Sequence, residues 1–322
     1  NSNIYLSTTD QNSQISYKIT IYNSTDIDYY FYKTKYFLGN DTYNNNDITF
    51  SLNGLKNADI LKSKTSITFI ITFHYKNQIL SNNNNLKSYL NFKFTHIICP
   101  EDEAVCDLSG NGNHAKIIGA NWDEENNIIT TDGIESYLDL GLNQFDFKNK
   151  ITLIIKVKFN NEDFTKEKFI FGNWESAGGG LSISNEKLIF AIYTNDLYNV
   201  FTSTFTPENN IWYDIIGMYD GNKMSIYVNG EKQKYDNTAI IPSWGHKSCE
   251  TLTGNIKIST TNMAIGANLN NDLNPNTWNL LSASYQKALL FNSTLTDEEI
   301  NNYYNDETTI YNKEGLLAHY IF

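Results

Sequence analysis

"WYDIIGMYDGNKMSIYVNGEKQ", residues Trp212 to Gln233, reads as two apolar strands folded back on each other. "DGN" at Asp220 to Asn222 reverses the chain and "NGE" at Asn229 to Glu231 closes the far end. Gly and Asn adopt cheaply the positive backbone angles that tight hairpin turns demand. Strand-like runs continue on both sides. Upstream stand "YLDLGL", "ITLIIKVKF", "KFIFGNW", "GLSIS" and "KLIFAIYT"; downstream stand "MAIGAN" and "YQKALLFN". Only "TDEEINNYYND" has helical character, with Thr296 as its N-cap and acids in its first turn. Short strands at close spacing predict an all-β sandwich.

Composition agrees. The chain has 322 residues, 40% hydrophobic and 14% aromatic, and its 22 Tyr and 18 Phe favour strands. That length suits one large or two ordinary domains. A net charge of −12 argues against nucleic-acid or anionic-membrane partners, which need lysine or arginine stripes. No apolar run reaches the ~18 residues of a membrane-spanning helix. No signal peptide is legible, and the chain opens on Asn1 without an initiator Met, as expected of a processed or trimmed product.

Residues 1–98 form a first domain of alternating runs: "ISYKITIYN", "YYFYKTKYF", "DITFSLNGL", "KTSITFIITFHY" and "KSYLNFKF". Their pattern resembles the immunoglobulin-like β-sandwich domains of Gram-positive surface proteins. His74 and His96 are lone strand histidines, not ligands. Lys18 and Asn91 could form a pilin-type cross-link, but no acid stands by to promote it, and a solvent-facing lysine is the simpler reading. The Asn-x-Ser/Thr matches at Asn23, Asn40 and Asn292 count as accidents of an Asn-rich chain.

A boundary follows at "HIICPEDEAVCDLSG". Cys99 and Cys106 bracket a short acidic loop that a disulfide could close, which would suit an exported protein, and Cys249 is left over. The spacing permits that bridge without requiring it.

From there the ordered set "DLSGNGNHAKIIGA", "ITLIIKVKF", "FIFGNWESAGGGLSIS", the central hairpin, "MAIGANLN" and "ASYQKALLFNSTLTDEEI" resembles the laminin-G-type, concanavalin A-like lectin domains. The resemblance covers roughly residues 106–306. It implies a jelly roll of two curved antiparallel sheets over residues 99–322. In such domains "DLSGNGN" is mainly a corner in which Gly110 and Gly112 supply positive φ. Some relatives hold calcium near this loop, and Asp107, Asn111 and Asn113 are the ligands it offers to Ca2+. With a single acid present, the corner is the preferred reading.

Three function classes compete. Glucan-cleaving relatives carry alternating acids on one strand, which places the carboxylates on one face of a sugar bond. No such alternation occurs here, so catalysis is not expected. Glycan or glycoprotein binding needs a flat aromatic for stacking and amide or carboxylate groups for hydroxyls. Two loops offer that mixture: "GNWESAGGG", with Asn173, Trp174 and Glu175 beside a Gly180 run open to a ligand, and "PSWGHKSCET", with Trp244, His246 and Glu250. The bland alternative makes Trp174 a lid on the sandwich and leaves Trp244 even between exposure and burial. Trp212 is expected in the core, whereas Trp122 and Trp278 stay open.

The third class is assembly. In the family a run like "GLLAYYPF" precedes "DLSGNGN" and pairs with the last strand. Here that place holds the cysteine-bracketed loop, and "EGLLAHYIF", Glu314 to Phe322, stands instead at the C-terminus. It could fold back within the chain, donate itself to a neighbouring subunit in a filament, or open a further repeat. The short link favours folding back, and His319 is expected to face outward. The expectation is a non-enzymatic extracellular, surface-located protein that recognises glycans or matrix, with a self-assembling filament subunit as runner-up.

Overall fold

A computed structural model describes residues 14–24, 29–39, 48–54, 60–62, 64–75, 87–95, 104–123, 125–142, 145, 147–175, 177–270, 279–311 and 313–322. Cys99, His96, Asn40, Trp278, the acidic residues of "PEDE" and the "SNNNN" loop lie outside them. The chain divides into two compact units, Asn1–Ile97 and Ile98–Phe322.

The first unit contains β1 (Gln14–Tyr22), β2 (Tyr29–Gly39), β3 (Ile48–Asn53), β4 (Ile60–Leu61), β5 (Ser66–Tyr75) and β6 (Lys87–Thr95). They form two three-stranded sheets, β1-β5-β3 and β4-β2-β6. Period-2 alternation is realised directly. Phe69 and Ile71 are buried while Ile70 between them is exposed, and Ser16 and Thr72 pair through their hydroxyls on the outer face. Lys18 is exposed.

The second unit opens with β7 (Ala104–Val105), β8 (Ala115–Ile118), β9 (Asn121–Asp123), β10 (Ile128–Asp132) and β11 (Tyr137–Leu142). Then come β12 (Ile151–Phe159), β13 (Lys168–Asn173), β14 (Gly179–Ser184), β15 (Lys187–Thr194) and β16 (Leu197–Thr202). The central hairpin is β17 (Trp212–Tyr219) and β18 (Met224–Val228), followed by β19 (Glu231–Lys232), β20 (Lys247–Ser248), β21 (Asn262–Ile265) and β22 (Ser282–Phe291). Helix α1 (Asp297–Asn305), a 3-10 turn (Glu307–Ile310) and β23 (Leu316–Ile321) complete the chain.

These strands make a jelly-roll sandwich. An eight-stranded sheet runs β19-β18-β17-β12-β22-β10-β9 with β23 beside β22, and a nine-stranded sheet runs β20-β16-β15-β14-β13-β21-β11-β8-β7. Their inner faces close on one core, including Leu153, Ile155, Phe171, Leu181, Phe190, Phe201, Ile215 and Ile226. Each such side chain contributes about 1.5–3 kcal/mol by leaving water. Three hairpin turns place consecutive non-proline residues at positive φ: Asn185-Glu186, Asn195-Asp196 and Asn229-Gly230. Asn tolerates that region better than other side chains, so part of the chain's asparagine is turn chemistry.

The tail folds back. β22 has β12 along one edge, while its other edge is shared: β10 pairs with Ser282 to Tyr285, and β23 pairs with Lys287 to Phe291. The division falls at Gln286, whose carbonyl accepts from Phe322 N at 3.0 Å. β23 delivers Ala318, Tyr320 and Phe322 to the core. The short β7 sits at the far edge of the nine-stranded sheet beside β8, so the strand ahead of "DLSGNGN" exists but occupies another lane.

The opposite edge of β23 is clasped by the 107–113 loop. Asp107 is fully buried. Its Oδ1 accepts from Ser109 N and from His319 N, both at 2.9 Å; its Oδ2 accepts from Ser109 Oγ at 2.8 Å and Asn113 N at 3.0 Å. The Asn111 and Asn113 amides both donate to Leu317 O, at 3.0 and 2.8 Å. Gly110 and Gly112 have φ of +84° and +78°. These residues do not fit a calcium ion: the carboxylate is saturated by four N–H or O–H donors and both amide nitrogens are committed to the strand.

His319 points away from the sandwich core as alternation requires, but it is buried, 1% exposed, rather than solvent-facing. Helix α1 and the 3-10 turn cover the outer face of the eight-stranded sheet, and the Tyr311 ring lies 4.1 Å from the His319 ring. Beneath the same cover Lys287 pairs with Asp214 at 3.4 Å and Glu307 at 2.5 Å. Thr296 caps α1 in a capping box with Glu299. Trp212 is half-buried beneath Lys158 rather than in the core, because it opens β17 opposite Lys158 at the sheet's end.

Candidate functional site

The outer face of the nine-stranded sheet carries a second set of side chains, set by alternation. On β15, Leu188, Phe190 and Ile192 enter the core while Ile189, Ala191 and Tyr193 face outward; on β16, Phe201 faces in, and Tyr198 and Val200 face out. A register shift between Phe169 and Phe171 in β13 turns Phe169 outward and Phe171 inward. Asn173 then faces in and Trp174 out.

Over this face folds the 241–246 loop. Trp244 and Trp174 meet with ring centroids 4.6 Å apart, Phe169 lies edge-on to Trp174 at 4.8 Å, and Tyr198 lies edge-on to Trp244 at 5.6 Å. Tyr193 stands edge-on to Tyr198 at 4.6 Å, and the exposed His246 ring stacks parallel to Tyr198 at 6.1 Å. His246 is fixed there by two backbone links to Tyr198: its N donates to Tyr198 O, and its Nδ1 accepts from Tyr198 N.

All of these aromatics except Phe169 wall a cavity of about 660 Å³, within the range of small-ligand sites. Trp174, Glu175, Trp244 and His246 all line it. Loops about 70 residues apart in sequence therefore converge on one place. Asn173 does not join them. It is 6% exposed, its amide donates to Thr261 O at 3.3 Å, and it borders a separate small void. Glu250 pairs instead with Lys223 at 2.9 Å. The glycine run is not open to a ligand either: a Cβ at Gly179 would lie 2.5 Å from Ile192 Cδ1, so those glycines serve strand packing.

Sequence reasoning missed Glu167, Tyr193, Asp196, Tyr198, Asn268 and Asn279 of this lining. Alternation along "KLIFAIYT" and "LYNVFT" could have found both tyrosines. Glu167 accepts from Trp244 Nε1 with both carboxylate oxygens, at 2.8 and 2.9 Å. Burial pushes the Glu167 carboxyl above its usual range; the indole N–H opposes that shift and the nearby Glu175 charge adds to it. Glu175 Oε1 accepts from Asn268 Nδ2 at 2.7 Å, while Asn268, 2% exposed, has its Oδ1 without a donor. The Tyr198 hydroxyl donates to Trp174 O, and burial raises its pKa, with Glu175 adding.

The family model described as the concanavalin A-like lectin/glucanases superfamily matches residues 132–301. The chain belongs to that superfamily. The match spans the cavity's walls, from Glu167 to Asn279. No curated protein matches the chain. Among solved structures, this superfamily member is similar to the botulinum neurotoxin serotype D binding domain, at 14% identity and TM-score 0.43, over 62% of this chain and 48% of that one. It is similar to Trypanosoma rangeli sialidase, at 16% identity and TM-score 0.45, over 64% of this chain and 31% of that one. A Bacteroides ovatus protein named for carbohydrate binding aligns at 12% identity and TM-score 0.36, over 97% of this chain and 85% of that one. The chain thus spans about half the length of the neurotoxin domain and under a third of the sialidase.

Among the described residues no helix is long and apolar enough to cross a membrane, and no group of three or more His, Cys, Asp or Glu is arranged to hold a metal. Cys106 is disulfide-bonded and Cys249 is free and buried.

Proposed function

We propose that the cavity on the outer face of the nine-stranded sheet binds a glycan without cleaving it. One observation carries this reading: Tyr193, Tyr198, Trp244 and His246 present ring faces and edges in the same cavity as Glu175, Asn268 and Asn279. Apolar sugar faces stack on such rings, and hydroxyls bond to carboxylate and amide groups. Membership in the superfamily and the oxidised Cys106 support an extracellular, surface-located role in recognising glycans or matrix. A glycan array followed by titration tests it. Wild type should show saturable binding, and Trp244→Ala should lose at least about tenfold, the value of one stacked ring.

A second reading is hydrolysis, favoured by two carboxylates, Glu167 and Glu175, facing one cavity with coupled charges. Against it, both Glu167 oxygens hold the Trp244 indole and Glu175 holds Asn268. Release of reducing ends from a bound oligosaccharide, lost in Glu167→Gln, would favour hydrolysis; a bound and unchanged oligosaccharide favours recognition.

A further inference from the structure

Charge sets the sugar class this cavity admits. Its lining holds three carboxylates, Glu167, Glu175 and Asp196, and no lysine. Arginine is absent from the whole sequence, whose 24 basic residues are all lysine. The bidentate guanidinium clamp that suits a sugar carboxylate or sulfate is therefore not available to this chain.

Neighbouring lysines are committed elsewhere. Lys166 pairs with Asp163 at 3.7 Å, and Lys168 with Glu162 at 2.7 Å. Lys257 reaches the rim, but its Nζ lies 3.7 Å from Asp196 and 5.2 Å above the Tyr193 ring. Lys247 follows His246 in sequence yet lines a different cavity, across the β15–β16 hairpin.

A second feature points to a donor-bearing ligand. Asn268 is almost fully buried at the cavity wall and its Oδ1 accepts nothing. Its amide nitrogen is spent on Glu175, which leaves a buried acceptor at the wall with no donor from the protein. Aromatic faces also favour cations through their quadrupoles. Raised by burial and by Glu175, the Glu167 carboxyl would be relieved by a positive charge between them.

Building on the glycan reading, we infer that the cavity selects by charge: it prefers amine-bearing sugars, accepts neutral ones, and refuses sugars bearing carboxylate or sulfate. A carboxylate in the cavity would meet the like charges of Glu167 and Glu175 with no lysine in the lining, the rim Lys257 being paired with Asp196, and like-charge placement selects against a ligand in desolvated sites.

Matched oligomers of glucosamine, N-acetylglucosamine and galacturonic acid test this by calorimetric titration at about pH 6 and low salt, where exposed charges are least screened. The amine series should bind about tenfold or more tighter than the N-acetyl series, with no detectable uronate binding. Raising salt should shrink the amine advantage. In Glu167→Gln/Glu175→Gln, which keeps an acceptor at each position, the ratio of amine to N-acetyl affinity should fall below about threefold, whatever the change in absolute affinity. A thermal melt of the variant establishes that it is folded. If Gln substitution perturbs folding, Asp196→Asn, on an exposed turn, supplies the second variant and should narrow the same ratio. Uronate binding as tight as N-acetyl, or an amine preference indifferent to salt and to the substitutions, would overturn the inference and leave glycan binding standing. Failure of all three series would overturn the glycan reading itself.

Discussion

Trp244 Nε1 donates to both carboxylate oxygens of Glu167, at 2.8 and 2.9 Å, across 77 residues of chain. Together with the two His246–Tyr198 links, this bond holds the 241–246 loop down on the outer sheet face, where it walls the cavity. Removing the acceptor leaves a partly buried indole N–H unpaired, at a cost of about 1–3 kcal/mol. Glu167→Ala should therefore loosen the loop and weaken ligand binding more than Glu167→Gln, which keeps an acceptor. Protease nicking within 236–246 and the ligand titration check both effects.

Asp107 ties the start of the second unit to its last strand. Three of its four accepted bonds are buried and the fourth is partly so, and Asp107→Ala would orphan the N–H groups of Ser109, Asn113 and His319 together. The expected loss is about 3–5 kcal/mol, comparable to breaking a buried charged network. Chelator, by contrast, should leave the melting temperature unchanged, because the loop holds a strand and does not fit an ion. Thermal melts of wild type with and without chelator, and of Asp107→Ala, measure each.

Deleting Glu314 to Phe322 removes Ala318, Tyr320 and Phe322 from the core and bares half an edge of β22. Two buried aromatics alone are worth about 3–5 kcal/mol each, a large part of a domain's total stability. The truncated chain should aggregate on expression. A truncated chain that stays soluble and melts like wild type would show that the strand is dispensable.

Burial lowers the His319 pKa to about 4, with Glu307 opposing the shift and Lys287 adding to it. Between about pH 6.5 and pH 4 the unfolded chain binds this proton and the folded chain does not, so stability falls as pH drops through that window. The total is about 3 kcal/mol at about 1.4 kcal/mol per pH unit. Above pH 6.5 the contribution is constant. Urea unfolding at pH 7.5 and pH 4.5 should show the loss in wild type, and it should be smaller in His319→Phe.

Much of this fold is legible in the sequence alone. The 212–233 hairpin, Thr296 as a helix cap and the sandwich class follow from local rules: turn residues, alternation and capping. The two Trp loops were legible as aromatic-polar mixtures, but their convergence was not, since it depends on a register shift in β13 and on a 77-residue reach. The Asn173 assignment failed on parity, because one residue along a strand exchanges inside for outside. His319 failed for a different reason: strand alternation marks it outward, and only the helical cover makes outward mean buried. The Asp107 loop read as a corner first and an ion site second, and sequence could not separate the two because a saturated carboxylate and an open one are identical there.

The most direct measurement is calorimetric titration of wild type and Trp244→Ala with an oligosaccharide taken from the array. Saturable one-site binding by wild type that weakens about tenfold or more in the variant, shown to be folded by its thermal melt, is the predicted result. Equal affinity in the two proteins would place the ligand elsewhere and contradict the assignment of this cavity.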